Sequence, residues 1–493
     1  MKKLKILFLS SEVAPFAKTG GLADVSSSLP KALRELGHEV RIMMPKYKVV
    51  NERKFVLREV IRLKEIPIAM GDDEVKINVK SAFTMDPNKI QTYFIDHRSY
   101  FHRDGLYVDS KSGKEYPDNA ERFILFAKGV LETLKILSWQ PNVIHCNDWQ
   151  TSLVPFLLKT QYKNDNFFNK ISSVITIHNV EFQGNFPAET YKKTNVDDSL
   201  FFSGSNLEFY GKFSFLKTGI YYSDHVTTVS EQYAKELLES EVYGMGFEGI
   251  FRDIKKKFNG IMNGIDYSEW DPETDAKIPV NYTYGKISLK KENKIELLEK
   301  FNLDYKEEVP VIGIISRLTD QKGFDLLEEI ADDLFALDMQ MVVIGMGEKK
   351  YQKMFESLRK KHKDKLGVKF TFDEDLSHLV EAGADLFLMP SKFEPCGLNQ
   401  LFSLRYGTVP VVRKVGGLAD TITEFDKKTE KGNGFVFEKY SSKDFLAAIK
   451  RALKLFEDSK TWKKILKNGM KQDFSWNTSA KKYSKIYEKI VKK

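Results

Sequence analysis

The chain is poor in cysteine, with only Cys146 and Cys396 among 493 residues. A disulfide framework is therefore not expected to hold it together, and a reducing compartment is the simpler setting. No stretch of about twenty apolar residues occurs, which excludes a membrane-spanning helix. The start, Met1-Lys2-Lys3 followed by Leu4–Leu9, imitates a signal peptide. That apolar run is short, and Glu12 and Lys18 stand where it should continue, so a buried first strand and a cytoplasmic protein are expected. Charge of one sign is barely in excess: 77 basic against 69 acidic side chains give a net charge of +8. The basic runs Lys255-Lys256-Lys257 and Lys492-Lys493 are short and not interleaved with aromatics. Nucleic acid is not an expected partner, whereas an anionic small molecule suits the surplus. Repeats and low-complexity tracts are also missing.

What is present describes a folded chain of more than one domain. Aromatic residues make up 13% and hydrophobic residues 42%, too much for a largely disordered chain. A length of 493 residues exceeds what one ordinary core organises, so two or three domains are expected.

The first forty-five residues set a pattern. Lys5–Ser10 reads as an apolar strand, followed by a loop with Gly20-Gly21. Leu22, Val25, Leu29, Leu33 and Leu36 then fall at helical spacing through Pro30, and Val40–Met44 is the next strand. Strand, glycine loop, helix, strand is one βαβ unit. Short apolar runs ending in polar clusters follow at 91–95, 142–145, 173–178 and 225–230, as parallel strands buried on both faces require. A second alternation starts at Val309, with strands at 311–316, 341–344, 368–372, 385–389 and 409–412. Helices are expected at 323–337 and 348–360. Between the two series lies a Gly-, Asn-, Asp- and Pro-rich stretch, Asn259–Asp275. The expected fold is α/β, two doubly wound Rossmann-like domains facing across a cleft. The expected boundaries are residues 1–262, a hinge at 263–275 and a second domain at 276–479.

Several strand ends carry chemistry. Lys18-Thr19-Gly20-Gly21 sits between the first strand and its helix, where paired glycines let backbone N–H groups approach a phosphate. A tight turn with an exposed lysine explains the same residues. Arg317 and Lys322 flank a strand-to-helix turn, so both cations can converge on a pyrophosphate. Glu394, pinned between Phe393 and Pro395, suits the hydroxyls of a sugar, and equally a helix-start carboxylate. His178-Asn179 ends a buried strand, and Asp148 follows another. His145 and Cys146 point to opposite faces of a strand and no Cys-x-x-C partner exists, which argues against zinc. Asp373-Glu374-Asp375 imitates a metal-holding Asp-x-Asp but reads as a solvated loop, so no metal is expected.

Taken in order, these motifs resemble the bacterial glycogen synthase and plant starch synthase family. The resemblance is carried by Lys-Thr-Gly-Gly-Leu-Ala-Asp at 18–24, Tyr116-x-Asp118-Asn119 with Arg122-Phe123, and His178-Asn179 with Gln183-Gly184. It continues through Asn263-Gly264-Ile265-Asp266, Ser316-Arg317-Leu318 with Gln321-Lys322-Gly323, and Pro390 to Leu398. Arg405-Tyr406-Gly407-Thr408 with Gly416-Gly417-Leu418 completes it. The resemblance implies a GT-B fold, in which a C-terminal helix at 480–493 returns to the first domain, and a retaining, metal-independent enzyme without a cofactor. It would move glucose from ADP-glucose to the non-reducing end of an α-1,4-glucan such as glycogen. It further implies that Arg317 and Lys322 hold the donor pyrophosphate, that Lys18 lies near phosphate and acceptor, and that Glu394 binds glucose hydroxyls. His178 would sit by the reacting carbon. Gly20, Gly21, Asp24, Asp148, Asn179, Asn263, Cys396, Gly397 and Leu398 would line the substrates, with Gly416 and Gly417 offering amides to phosphate.

The chain departs from the family pattern at Val415, Gln150, Ser230-Glu231 and Met245-Gly246-Phe247, none of which belongs to the phosphate clamp. Two other functions fit less well: a hydrolase or phosphorylase on the same glucan, and a non-catalytic glucan-binding protein. Retention of Lys18, Arg317, Lys322 and Glu394 speaks for transfer. The base of the nucleotide is not legible in phosphate-binding residues, so UDP-glucose stays an alternative donor.

Overall fold

In a computed structural model of the chain, residues 2–84 and 89–491 are described; Lys492-Lys493 lie outside them. The chain divides into two compact units, one of residues 1–229, 234–264 and 476–493, the other of residues 230–233 and 265–475.

The first unit is built on a ten-stranded sheet. In chain order it contains β1 (Lys5–Leu9), β2 (Glu39–Pro45), β3 (Arg58–Glu59), β4 (Ile66–Met70), β5 (Asp73–Phe83) and β6 (Gln91–Asp96). β7 (Val143–Asn147) and β8 (Ser172–Ile177) follow. A small sheet of β9 (Asn185–Pro187), β10 (Glu208–Phe209) and β11 (Lys212–Ser214) intervenes before β12 (His225–Thr228) and β13 (Phe258–Gly260). The large sheet runs β13-β12-β8-β7-β1-β2-β6-β5-β3, with β4 paired to β5. From β13 to β6 every pairing is parallel, and β7, β8 and β12 are buried along their whole length. That is why these strands read as unbroken apolar runs.

The β3–β5 edge was not expected from the sequence. β5 pairs antiparallel with β6, β4 and β3. Its signature is visible in hindsight: Ile66, Ile68 and Met70 are buried while Pro67 and Ala69 are exposed, and Gly71-Asp72 turns the hairpin. The period of two marks a half-covered antiparallel edge rather than a parallel interior strand.

The helix after the glycine loop spans Gly21–Glu35 and runs through Pro30. A final helix, Trp476–Ile490, belongs to the first unit although the chain has passed through the second. Its buried face, Ala480, Tyr483, Ser484 and Tyr487, explains the docking. Tyr487 Oη lies 2.6 Å from His145 Nδ1, and Ser484 Oγ lies 2.8 Å from His38 Nε2. His145 is thus a core residue whose other nitrogen meets Thr176 Oγ1 at 2.7 Å.

The second unit carries six parallel strands: β14 (Val311–Ile315), β15 (Gln340–Ile344), β16 (Leu366–Lys369), β17 (Leu386–Met389), β18 (Val409–Arg413) and β19 (Phe435–Phe437). Their order is β16-β15-β14-β17-β18-β19. The helix expected at 323–337 is two shorter ones, Phe324–Glu329 and Ala331–Phe335, meeting at Ile330. Residues 265–275, expected within a hinge, pack firmly inside this unit. The Trp270 ring lies between His378 and Phe402, with centroids 3.7 and 3.8 Å away. Asp271 pairs with Arg405, and Asp275 accepts from His378 Nδ1 at 2.7 Å. No helix among the described residues is long and apolar enough to cross a membrane.

Candidate functional site

Each sheet reverses its winding beside its first strand. In the first unit β1 lies between β7 and β2; in the second β14 lies between β15 and β17. The loops leaving the carboxyl ends of strands flanking such a point form the natural ligand crevice of a doubly wound sheet. Lys18 and Asp148 lie in the loops after β1 and β7, and Arg317, Lys322 and Glu394 in those after β14 and β17; His178, Asn263 and Gly416 follow β8, β13 and β18.

In the first unit, Lys18 is exposed and its ammonium meets Asp24 Oδ1 at 2.7 Å. Beneath it lies Glu12, only 4% exposed. Its carboxylate accepts from the backbone N–H and hydroxyl of Thr19, from Gly20 N–H at 3.2 Å and from Tyr107 Oη at 2.8 Å. The Gly20 amide therefore faces this carboxylate rather than a ligand. Gly21 opens the helix at its N-terminus, the end whose dipole favours an anion. Gly20 has an extended φ of −156°, and a side chain built there would meet nothing within 4 Å. Neither backbone strain nor packing inside the protein demands glycine at this position, so the space outside it is what glycine keeps open.

Asp148 follows β7 with φ 55° and ψ −174°, a conformation almost confined to glycine. Its Oδ1 accepts from His178 N–H at 2.7 Å. Burial pushes its carboxyl up to about 7, against the pull of the His178 and Asn179 amides. Asn147 Nδ2 donates to Leu9 O at 2.8 Å, which turns Asn147 Oδ1 toward His178 Nε2 at 2.9 Å. His178 therefore carries its proton on Nε2 and presents Nδ1 as an acceptor. Burial lowers its pKa to about 3, so the ring stays neutral in working conditions. Asn179 is partly exposed beside it, with Nδ2 3.3 Å from Glu181 Oε2. Asn263 is buried, and its Oδ1 has no hydrogen-bond partner among the described residues.

In the second unit, two loops are zipped together. Lys392 N–H donates to Gln321 O at 2.8 Å, and Gln321 Nε2 to Phe393 O at 3.2 Å. Lys322 Nζ reaches Glu394 Oε2 at 2.6 Å, and Ser391 Oγ donates to the same oxygen at 3.0 Å. Glu394 is 6% exposed, so the pair is largely withdrawn from water. Arg317 does not share this spot: its side chain is exposed, and its guanidinium makes no hydrogen bond or ion pair among the described residues. The two cations expected to converge are thus engaged differently, one fixing an acid and one facing outward.

Glycines make this close fit. A Cβ on Gly323 would lie 2.1 Å from Pro390 O, on Gly416 1.9 Å from Glu394 O, and on Gly417 2.0 Å from Cys396 O. Gly417 N–H donates to Glu394 O at 3.1 Å and Pro395 O at 3.2 Å. The expectation that Gly417 offers its amide to a phosphate is therefore corrected: that amide holds the Glu394 loop. Cys396 is buried, Gly397 has φ 71°, and Leu398 immediately precedes the helix Asn399–Tyr406. The helix begins five residues after Glu394, so Glu394 is too far from its start to act as the helix-start carboxylate.

Asp373 caps the helix Glu374–Gly383 by accepting from Leu376 N–H at 2.9 Å, and Glu374 pairs with Lys277. Glu269, Glu374 and His378 bring ligand atoms within 4.8 Å of one another, but the Lys277 ammonium already lies among them. Sequence reasoning missed Glu12, Tyr107 and the exposed ring of Phe372 beyond β16. For Glu12 the signal was an acid within an otherwise apolar and small loop; Tyr107 and Phe372 gave none.

Residues 5–253 match the starch synthase catalytic domain, and residues 296–469 match glycosyl transferases group 1. The chain is 45% identical to a glycogen synthase of Desulforudis audaxviator, covering 100% of this chain and 97% of that one. It is 44% identical to a glycogen synthase of Thermosipho africanus, covering 99% and 100%. Among solved structures, the catalytic domain of starch synthase IV from Arabidopsis thaliana, bound to ADP and acarbose, superposes with a TM-score of 0.91 at 32% identity. That match covers 99% of this chain and 100% of the other. Sucrose-phosphate synthase of Thermosynechococcus elongatus shares the fold, with a TM-score of 0.60 at 16% identity and 99% of each chain covered.

Proposed function

Because the chain belongs to the glycogen and starch synthase family, we propose that it elongates an α-1,4-glucan by retaining transfer of glucose from ADP-glucose. The observation that carries this reading is the withdrawn Lys322–Glu394 pair at the switch point of the second unit. A lysine beside a sugar-binding carboxylate suits a donor that presents phosphate and hydroxyls together. The outward Arg317 guanidinium offers a planar fork for phosphate oxygens. Phe372, 71% exposed beyond a strand of the same sheet, offers the kind of face on which a nucleobase stacks.

Glucosyl transfer passes through an oxocarbenium-like state while negative charge gathers on the departing diphosphate. Lys322 and Arg317 stabilise that leaving charge. His178, held neutral, adds no positive charge beside the reacting carbon, and its Nδ1 accepts from a sugar hydroxyl. Glu394 Oε2 is already engaged by Lys322 and Ser391, which suits hydroxyl binding better than nucleophilic attack. The acceptor hydroxyl then attacks from the face the diphosphate leaves, and that diphosphate takes its proton. The C1–O bond to phosphate breaks as the C1–O bond to the glucan forms, with configuration kept.

Incorporation of labelled glucose into glycogen from ADP-glucose and from UDP-glucose tests this directly. ADP-glucose should be the better donor by at least about tenfold, a difference of about 1.4 kcal/mol. Absence of incorporation from either donor overturns the reading. A preference for UDP-glucose overturns only the choice of base.

A further inference from the structure

The motif Tyr116-x-Asp118-Asn119 with Arg122-Phe123 has no part in the chemistry above, yet Arg122 is fully buried. Its Nε donates to Tyr100 O at 2.7 Å and its Nη1 to Asn119 Oδ1 at 2.7 Å. Asn119 Nδ2 in turn donates to Tyr107 O at 3.0 Å. Asp118 receives both terminal nitrogens of Arg103. These bonds fix the loop that carries Tyr107 against the helix Asn119–Leu137. From that loop the Tyr107 hydroxyl reaches Ser11 Oγ at 2.7 Å and Glu12 Oε1 at 2.8 Å. Glu12 completes the line by gripping Thr19 and Gly20, directly after Lys18.

A carboxylate this withdrawn from water is costly unless donors compensate it, and here four do. Burial and the neighbouring Glu12 charge hold the Tyr107 hydroxyl well above the usual phenol range, so it stays a donor. The result is a rigid support under a turn whose outer side, at Gly20, is kept open. A loop that served only to connect β1 to its helix has no use for such a support, because solvent satisfies exposed amides equally well.

We propose that Glu12, braced by Tyr107, is a positioning residue that sets the Lys18–Gly21 turn for the donor phosphate and acceptor. The proposal rests on the functional reading above and deepens it. Displacing such a group by about an ångström costs on the order of a hundredfold in rate. Each residue of the line then has a graded expectation. Glu12→Ala frees the turn and should lower kcat/KM for ADP-glucose by about 30- to 100-fold. Glu12→Gln keeps one accepting oxygen and should recover most of that loss, remaining within about tenfold of the parent. Tyr107→Phe removes a single donor and should cost about three- to tenfold.

The test measures kcat and KM for ADP-glucose separately, with melting temperature, for the parent chain and these three variants. The expected result is the order parent, Tyr107→Phe and Glu12→Gln, then Glu12→Ala in activity, while melting temperatures of the two milder variants stay within about 3 °C of the parent. Variants that melt earlier but keep the parent kcat and KM give the residues a purely structural role and overturn the proposal. If Glu12→Ala does not fold, unchanged kinetics of Tyr107→Phe and Glu12→Gln overturn it equally. A parent chain that transfers no glucose removes the functional reading and this proposal with it, whereas an active parent with indifferent variants removes the proposal alone.

Discussion

The glycine-bearing loops of the two units are built on opposite principles. At Gly20 a side chain would enter open space, whereas at Gly323, Gly416 and Gly417 it would collide with backbone oxygens about 2 Å away. In the first unit the turn is held from below by a buried carboxylate, and glycine leaves room outside. In the second unit the glycines vanish into the structure so that three loops meet backbone to backbone and present Glu394. Glycine thus means access in the first unit's loop and packing in the second unit's, and only the neighbours distinguish the two.

The largest effect should come from breaking the packed loop. Gly417→Ala forces the Cys396 carbonyl aside in a buried place and should destabilise the second unit by more than about 4 kcal/mol. A calorimetric scan showing an unshifted transition would remove the distinction between the loops. Next comes Lys322→Ala, which leaves the largely buried Glu394 without its cation. Its turnover should fall by about 100- to 1000-fold, measured as glucose transferred per folded protein; near-parental turnover would deny the pair any part in catalysis.

Gly20→Ala sharpens the contrast from the other side. It should leave the melting temperature within about 2 °C, because nothing inside the protein is touched. Yet it should lower kcat/KM by about tenfold by filling the space meant for substrate. Equal activity with equal stability would mean that the space is idle.

The smallest expected effect is electrostatic. Burial raises the Asp148 carboxyl to about 7, so the folded chain holds this proton more firmly than the unfolded chain does. The associated stability is fully present below the ordinary carboxylate range and is lost as pH rises through about 7. Asp148→Asn should therefore gain about 1–3 kcal/mol relative to the parent on going from pH 5 to pH 8, read from urea unfolding at the two values. His178 acts in the opposite direction. Its lowered pKa means that stability present above about 6.5 is lost as pH falls through about 3. An Asp148→Asn chain whose stability relative to the parent is the same at pH 5 and pH 8 would show that Asp148 is better hydrated than its surroundings indicate.

Much of the framework was legible because parallel strands buried on both faces announce themselves as short apolar runs. β1, β2, β7, β8 and β14 to β18 were placed within three residues at each end, whereas β19 was not anticipated. The β3–β5 edge was overlooked because β3 is only two residues long and β5 intersperses charged residues among its apolar ones. Among the site residues, Lys18, His178, Lys322 and Glu394 stood out because each lies directly after a strand or in the loop that leaves its carboxyl end. Their partners did not: Lys322 meets Glu394 across 72 positions, a relation no local pattern encodes.

The sequence by itself determined the periodicities, and therefore the α/β alternation, the two series of strands and the residues at their carboxyl ends. It also determined the family, since several short motifs in one order are far more specific than any one of them. Tertiary structure alone decided the direction in which each group is used. It turned the Gly417 amide inward, gave Glu12 four donors, kept His178 neutral and raised the Asp148 carboxyl. The physical reason is that hydrogen-bond partners and desolvation arise between segments distant in the chain. A residue type records what a group is able to do, and its burial and neighbours select which of those things it does.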